Sequence, residues 1–178
     1  MFGGLRKPKS VRIGGKRLSE ILGAHEQFAR AAEGGSRAEL AGAKLTRVDL
    51  SGVVLTHANL AGAQLEGACL REAKLTSADL SGAQLEKADL RTCDATGADF
   101  SGADLTGADL SGAELFRADF SRAVLRGAKI RAANFRQAVL RGADLTGADL
   151  NVASLRQTDM EGAKLDGADL RTSIIRKV

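Results

Sequence analysis

Along most of its length the chain repeats one five-position pattern. From Leu40 to Ile175 every fifth residue is large and apolar, with Ala95 the single exception. Two residues before each stands a small one: Ala in most units, and Val48, Val53, Cys93, Thr158 or Ser173 in the rest. This gives 28 consecutive units without an insertion. None of these positions is charged, although residues 36–178 hold 19 basic and 19 acidic side chains. Exclusion of charge from two positions in five marks burial. An α-helix cannot produce the pattern, because five residues advance it by roughly 500° and scatter the apolar positions around every side. A flat strand fails as well, because an odd step alternates faces.

A short extended segment followed by a bend does fit. With the apolar centre called i, residues i−2 and i share one face of a three-residue side, and the next two residues turn a corner. Four right-angled units close a square coil, and successive coils pair as parallel strands about 4.8 Å apart. The units then predict about seven coils and a rod of ~34 Å. All 14 glycines after Gly35 fall at i+2, where a bend needs unusual dihedral angles. Asp or Asn holds 14 of the i−1 positions, suited to bonding the backbone of the turn.

The stretches SGADLTGADLSGAEL and RGADLTGADLNVASL closely resemble the pentapeptide-repeat proteins, whose consensus is alanine, aspartate or asparagine, leucine, then two variable residues. The resemblance implies an all-β solenoid, a right-handed quadrilateral parallel β-helix, with i and i−2 inside and the other three positions outside. It also implies a bacterial chain.

Three segments are expected. Residues 1–17 form a basic arm carrying Arg6, Lys7, Lys9, Arg12, Lys16 and Arg17 and no acid. The arm reads as flexible or loosely docked, or as a short strand formed by Val11 and Ile13 against the first coil. A sharper reading makes it an electrostatic tether to nucleic acid or anionic membrane. Residues 18–35 read as an N-terminal capping helix, with Leu18, Ile21, Leu22, His25 and Phe28 at helical spacing and Gly34–Gly35 as its stop. Its role is to cover the apolar end of the solenoid, as repeat proteins require. Residues 36–178 are the repeats.

Charge changes the picture only at the surface. Residues 1–35 carry seven basic and three acidic groups, which accounts for the net charge of +4, and the repeats are neutral. Stacking residues twenty apart gives columns. One places Phe116 above Arg136, Arg156 and Arg176, with Arg117 and Lys177 alongside. Stacked arginines repel unless carboxylates or a partner offset them, so these six residues are the candidate partner-binding surface. The opposing reading is a solvated face on which Asp and Arg balance. Ile174 and Ile175 lie at the far end, where an uncovered apolar coil would join two copies end to end as a homodimer.

No catalytic chemistry is visible. His25 and His57 lie in different elements, no Cys/His cluster has metal-ligand spacing, and no phosphate-loop pattern occurs. No cofactor is expected, and the chain is expected not to be an enzyme. No run reads as a secretion signal or a membrane span, so a cytoplasmic location is expected. The leading functional expectation is a protein-interaction module with an unidentified protein partner. The alternative comes from the resemblance: some members imitate DNA and bind gyrase, giving quinolone or toxin resistance. Those are acidic rods, so the neutral repeats here disfavour DNA gyrase as the partner.

Overall fold

The structure is a computed structural model that describes residues 4–174. Each five-residue unit contributes one short side and one corner. At the corner the N–H of residue i+3 donates to the carbonyl of i, as from Ala43 to Leu40 and from Ala103 to Phe100, both 3.0 Å. Residue i+2 has positive φ, 62° at Gly42 and 65° at Gly102, which is the type II turn pattern. The corner imposes this angle whatever residue stands there: Arg47 has φ 56°, Thr92 54° and Val152 64°.

The sides pair with residues twenty apart, which is four units. Parallel bridges run from Glu39–Asn59 to Ser154–Ile174. In each, the centre donates to the coil above, Leu40 N–H to Asn59 C=O at 2.7 Å, and the coil above donates back, Asn59 N–H to Ala38 C=O at 2.9 Å. Because a side is only three residues long, the ladders consist of single-residue bridges rather than long strands.

Every Asp or Asn at i−1 folds its side chain onto the following corner. Asp99 Oδ1 accepts from the Ser101 N–H at 2.8 Å, Asp104 from Thr106 at 2.9 Å and Asn134 from Arg136 at 3.2 Å. This supplies the acceptor that the turn N–H needs. Inside, the centres and the i−2 alanines are fully buried through most of the rod. Phe100 stacks on Phe120 with ring centroids 4.6 Å apart, and Phe135 tilts against Phe120 at 5.3 Å. Ala95 is fully buried despite its small size. Towards the other end Met160, Leu165 and Leu170 are only partly buried.

The N-terminal segment departs from a loosely docked arm. Its strand against the first coil comes from Arg6, not from Val11 and Ile13: Arg6 bridges Val48 in parallel, with N–H to Arg47 C=O at 2.7 Å and C=O from Asp49 N–H at 2.9 Å. Pro8–Ser10 form a 3-10 turn, and β1 (Arg12–Ile13) pairs antiparallel with β2 (Lys16–Arg17). Val11 is buried in the core cluster instead. Helix α1 spans Leu18–Ala29, shorter than expected. It stops because Ala31 takes φ 52° and closes a Schellman motif, Ala32 N–H to Gln27 C=O and Ala31 N–H to Phe28 C=O, both 2.9 Å. Leu18 and Leu22 of α1 join the buried cluster of Ala38, Leu40 and Ala43. His25 is fully buried, and its Nδ1 accepts the Ala38 N–H at 3.0 Å, so the ring is tied to the first repeat unit. Gly35 passes so close to α1 that a Cβ there would lie 2.3 Å from the Phe28 nitrogen.

Candidate interaction surface

Most arginines at position i+1 of the repeats are neutralised by a rule that follows from the winding. An Arg at i+1 reaches the i−1 residue of the next coil, eighteen positions on. Where that residue is Asp an ion pair forms: Arg71–Asp89 at 3.0 Å, Arg126–Asp144 at 2.7 Å, Arg131–Asp149 at 3.3 Å and Arg141–Asp159 at 2.5 Å. Arg91 and Arg171 fold onto the Asp two residues before them, Asp89 and Asp169, at 2.6 and 2.7 Å, and Arg91 also reaches Asp109, eighteen on, at 3.9 Å.

The carboxylates respond. The Arg91 guanidinium, helped by Arg71 and the turn N–H, holds Asp89 well below the ordinary carboxylate range against the opposing effect of burial. Arg126 does the same to Asp144, together with the Thr146 hydroxyl and N–H. Arg171 draws Asp169 down to about 2. These aspartates are therefore charged and already occupied.

One corner breaks the rule. For Arg136 the residue eighteen on is Ser154, and for Arg156 it is Ile174. Among the described residues no carboxylate lies within 4.0 Å of Arg117, Arg136 or Arg156, and all three are exposed. Arg117 Cζ sits 4.8 Å above the half-buried ring of Phe116, and Arg136 Cζ lies 6.0 Å from it. The negative ring face attracts both cations. Arg117 Nε also donates to Gln137 Oε1 at 2.9 Å, and Gln137 Nε2 donates to Gln157 Oε1 at 3.0 Å. The corner thus brings together an aromatic platform, three uncompensated guanidinium groups and a glutamine ladder. Arg176 and Lys177, expected to extend it, lie outside the described residues, as does Ile175.

The other candidates are dispersed. Arg6 is used as a strand residue, and Lys7 pairs with Asp49 at 3.2 Å. The hairpin places Arg12 directly across from Arg17 and leaves Lys16 beside them, all exposed. Lys9 is exposed with no carboxylate within 4.0 Å among the described residues. Ile174 is 43% exposed at the far end. Sequence reasoning reached the arginine column but missed the pairing eighteen residues on and the glutamine ladder, although both follow from the twenty-residue coil.

Among the described residues no group of three His, Cys, Asp or Glu is placed to hold a metal ion. No described helix is long and apolar enough to cross a membrane. Cys93 is fully buried, and burial pushes its thiol up to about 12.

The sequence model for pentapeptide repeats matches residues 36–72, 73–112, 118–157 and 133–171, with 8 copies. The chain belongs to the pentapeptide-repeat family. Members fold as right-handed quadrilateral β-helices and are generally non-enzymatic structural or interaction proteins. Among solved structures, the pentapeptide-repeat protein Rfr23 from the cyanobacterium Cyanothece 51142 is 30% identical with a TM-score of 0.51. That alignment covers 52% of this chain and 64% of Rfr23, so this chain spans just under two thirds of that protein's length. QnrB1, a plasmid-mediated fluoroquinolone resistance protein, is 22% identical over 74% of this chain and 76% of its own, with a TM-score of 0.53, a likeness of fold. No curated protein matches the chain.

Proposed function

We propose that this pentapeptide-repeat chain is a non-enzymatic interaction module. It is a rod of about seven coils, closed at the N-terminal end by α1 and the hairpin. It presents the corner of Phe116, Arg117, Arg136 and Arg156 to an acidic surface of a protein partner. One observation carries this reading: among the described residues Arg117, Arg136 and Arg156 lack a carboxylate, and the first two stand against the Phe116 ring. Arg47 and Arg122, which also lack one, have no ring beside them, and the arginines of the Asp-bearing columns are paired. Like charges stacked ~4.8 Å apart repel, and a partner's carboxylates would relieve the repulsion. Phe116 supplies the aromatic anchor that such contacts favour. The test is capture from the native host by wild type and by an Arg136→Glu/Arg156→Glu variant of unchanged thermal stability. A partner retained by the first and lost by the second supports the reading. Equal capture by both contradicts it.

A second reading rests on the hairpin, where Arg12 faces Arg17 and, of Arg12, Lys16 and Arg17, only Arg17 has a carboxylate within 4.0 Å among the described residues, that of Glu20. We infer a contact to an anionic polymer or membrane there, weaker than the main one. Its affinity should fall with rising salt and vanish in an Arg12→Ala/Lys16→Ala/Arg17→Ala variant. A homodimer joined through the C-terminal coils is proposed, with the exposed Ile174 and the partly buried Met160, Leu165 and Leu170 at the contact, and a monomeric mass in solution at micromolar concentration would refute it. Gyrase is not the proposed partner. The turn N–H groups hold every aspartate at i−1, and arginines pair with Asp89, Asp109, Asp144, Asp149, Asp159 and Asp169. This leaves Asp79, Asp99 and Asp119 as a short acidic column on a rod whose repeats are neutral. We expect no protection of gyrase from ciprofloxacin in a supercoiling assay at saturating protein, and protection would overturn that choice.

A further inference from the structure

The first coil has four sides, and each presents a backbone edge towards the N-terminus. One edge is occupied: Arg6 lies along it, taking the Asp49 N–H and giving its own N–H to the Arg47 carbonyl. The equivalent groups one side further on are the Val54 N–H and the Gly52 carbonyl. Among the described residues neither has a backbone partner. The chain leaves the ladder just before this edge, because Pro8 begins the 3-10 turn and carries no N–H to continue it. The inward residues of the other three sides, Ala38, Ala43 and Val48, are buried, at 0, 7 and 0% exposure. Val53 is the exception and is only partly buried. Its side borders a groove of about 630 Å³ between Leu22 and Gly23 of α1, Pro8, and the edge itself.

We propose that this edge is a strand-docking site for an extended segment of a partner protein, in which an apolar side chain is flanked by carboxylates. The partner strand runs parallel to Gly52–Leu55 and accepts from Val54 N–H. It donates to Gly52 C=O, as Arg6 does one side earlier. Strand addition of this kind draws affinity from backbone bonds and selectivity from alternate side chains. The alternate side chain enters the groove against Val53 and Leu22. The charge preference follows from the rim. Glu26 is tied to Arg30 at 2.6 Å and Lys7 to Asp49 at 3.2 Å, which leaves Lys9 as the uncompensated charge among the described groove residues. That positive charge favours carboxylates, so the occupant is an acidic segment of a different chain. This site is separate from the arginine corner.

The experiment titrates isotope-labelled protein with a soluble eight-residue peptide alternating valine and glutamate, followed by amide chemical shifts and hydrogen exchange. We expect saturable shifts at Gly52–Val54 and Leu22 and at least tenfold slower exchange of the Val54 amide. We expect at least tenfold weaker binding of the valine–lysine peptide, and the same loss in Val54→Pro, which removes the unpaired N–H and the Val54 side chain at the edge. We expect it too with a peptide methylated at the nitrogen facing Gly52, which removes a backbone bond alone. If Val54→Pro does not fold, the methylated peptide must show that loss by itself. The Arg136→Glu/Arg156→Glu variant should bind the peptide as wild type does, which separates this site from the corner. Absence of saturation at millimolar peptide overturns the proposal, as does binding insensitive to both backbone changes. A Val54 amide already protected without peptide overturns it too. Protection independent of protein concentration would mean the chain covers its own edge, and protection that grows with concentration would mean a second copy does.

Discussion

At the residue scale, the corner decides which side chains the chain tolerates well. Position i+2 takes the left-handed conformation in every unit for which a positive φ occurs, and glycine meets it without strain. Val152 meets it at φ 64° with a β-branched side chain that is about half exposed. Relieving that strain outweighs the extra freedom glycine gives the unfolded chain. Val152→Gly should therefore stabilise the protein by about 0.5–1 kcal/mol, read as a higher denaturant midpoint; a lower midpoint would contradict the turn assignment.

The ionisable residues set a second expectation. Asp89, Asp144, Asp159 and Asp169 have pKa values lowered in the fold, chiefly by hydrogen bonds from their arginines. A lowered acid contributes stability above its unfolded value and loses it as pH falls through the folded one. Their contribution should hold above about pH 4 and decline from there towards about pH 2, where Asp169 titrates. His25 acts earlier. Burial, opposed in part by the Thr56 carbonyl, lowers its pKa below 6.5. The unfolded chain then takes up a proton that the folded chain refuses, so stability should begin to fall as pH drops below about 6.5. In His25→Asn the loss between pH 6.5 and 5 should disappear from the melting curves. Its persistence would place the titrating group elsewhere.

At the scale of elements, the joint between α1 and the first repeat is close-packed, and two changes probe it. Gly35→Ala places a Cβ against the α1 backbone, where neither chain can give way. It should cost about 1–3 kcal/mol and loosen α1 before the repeats, seen as faster amide exchange confined to residues 18–38. Uniform loosening would mean that α1 and the rod open as one unit. Within the rod, Phe120 is held between Phe100 and Phe135. Phe120→Ala should cost about 3–5 kcal/mol by chemical denaturation, and a cost under 1 kcal/mol would contradict the stacked arrangement.

Much of this scale was legible in the sequence. The lumen residues, the glycine corners and the Asp side chains on the turns all follow from a spacing of five, because the winding repeats the same local environment. The ends were less legible. Arg6 joins the ladder through backbone bonds, which its basic side chain does not advertise. Helix α1 stops at Ala29 because Ala31, an ordinary helix former, takes the left-handed angle, while the expected stop at Gly34–Gly35 serves close packing instead. His25 was legible as a packing residue, but its bond to Ala38 depends on a contact thirteen residues away.

At the scale of the whole molecule, the arginines at i+1 are mostly neutralised within the rod, and the exceptions among the described residues fall at one corner. The arithmetic is fixed by the coil: an arginine at i+1 is neutralised by an Asp eighteen residues later, and the column of Phe116, Arg136 and Arg156 meets Asn134, Ser154 and Ile174 instead. The candidate surface was visible as a stripe in the sequence. Its lack of counter-charge was not, since that depends on which columns the winding places side by side. The same arithmetic gives a control position at Ser81, whose column neighbour is Ser101 and which stands two coils from Arg122 and three from Arg141.

The most direct test places a photoreactive amino acid at position 136, and separately at position 81, and irradiates the native host cells. The account predicts one discrete covalent adduct from position 136, lost when Arg117 and Arg156 are changed to Glu, and none from position 81. Equal adducts at both positions, or none at position 136, would contradict it.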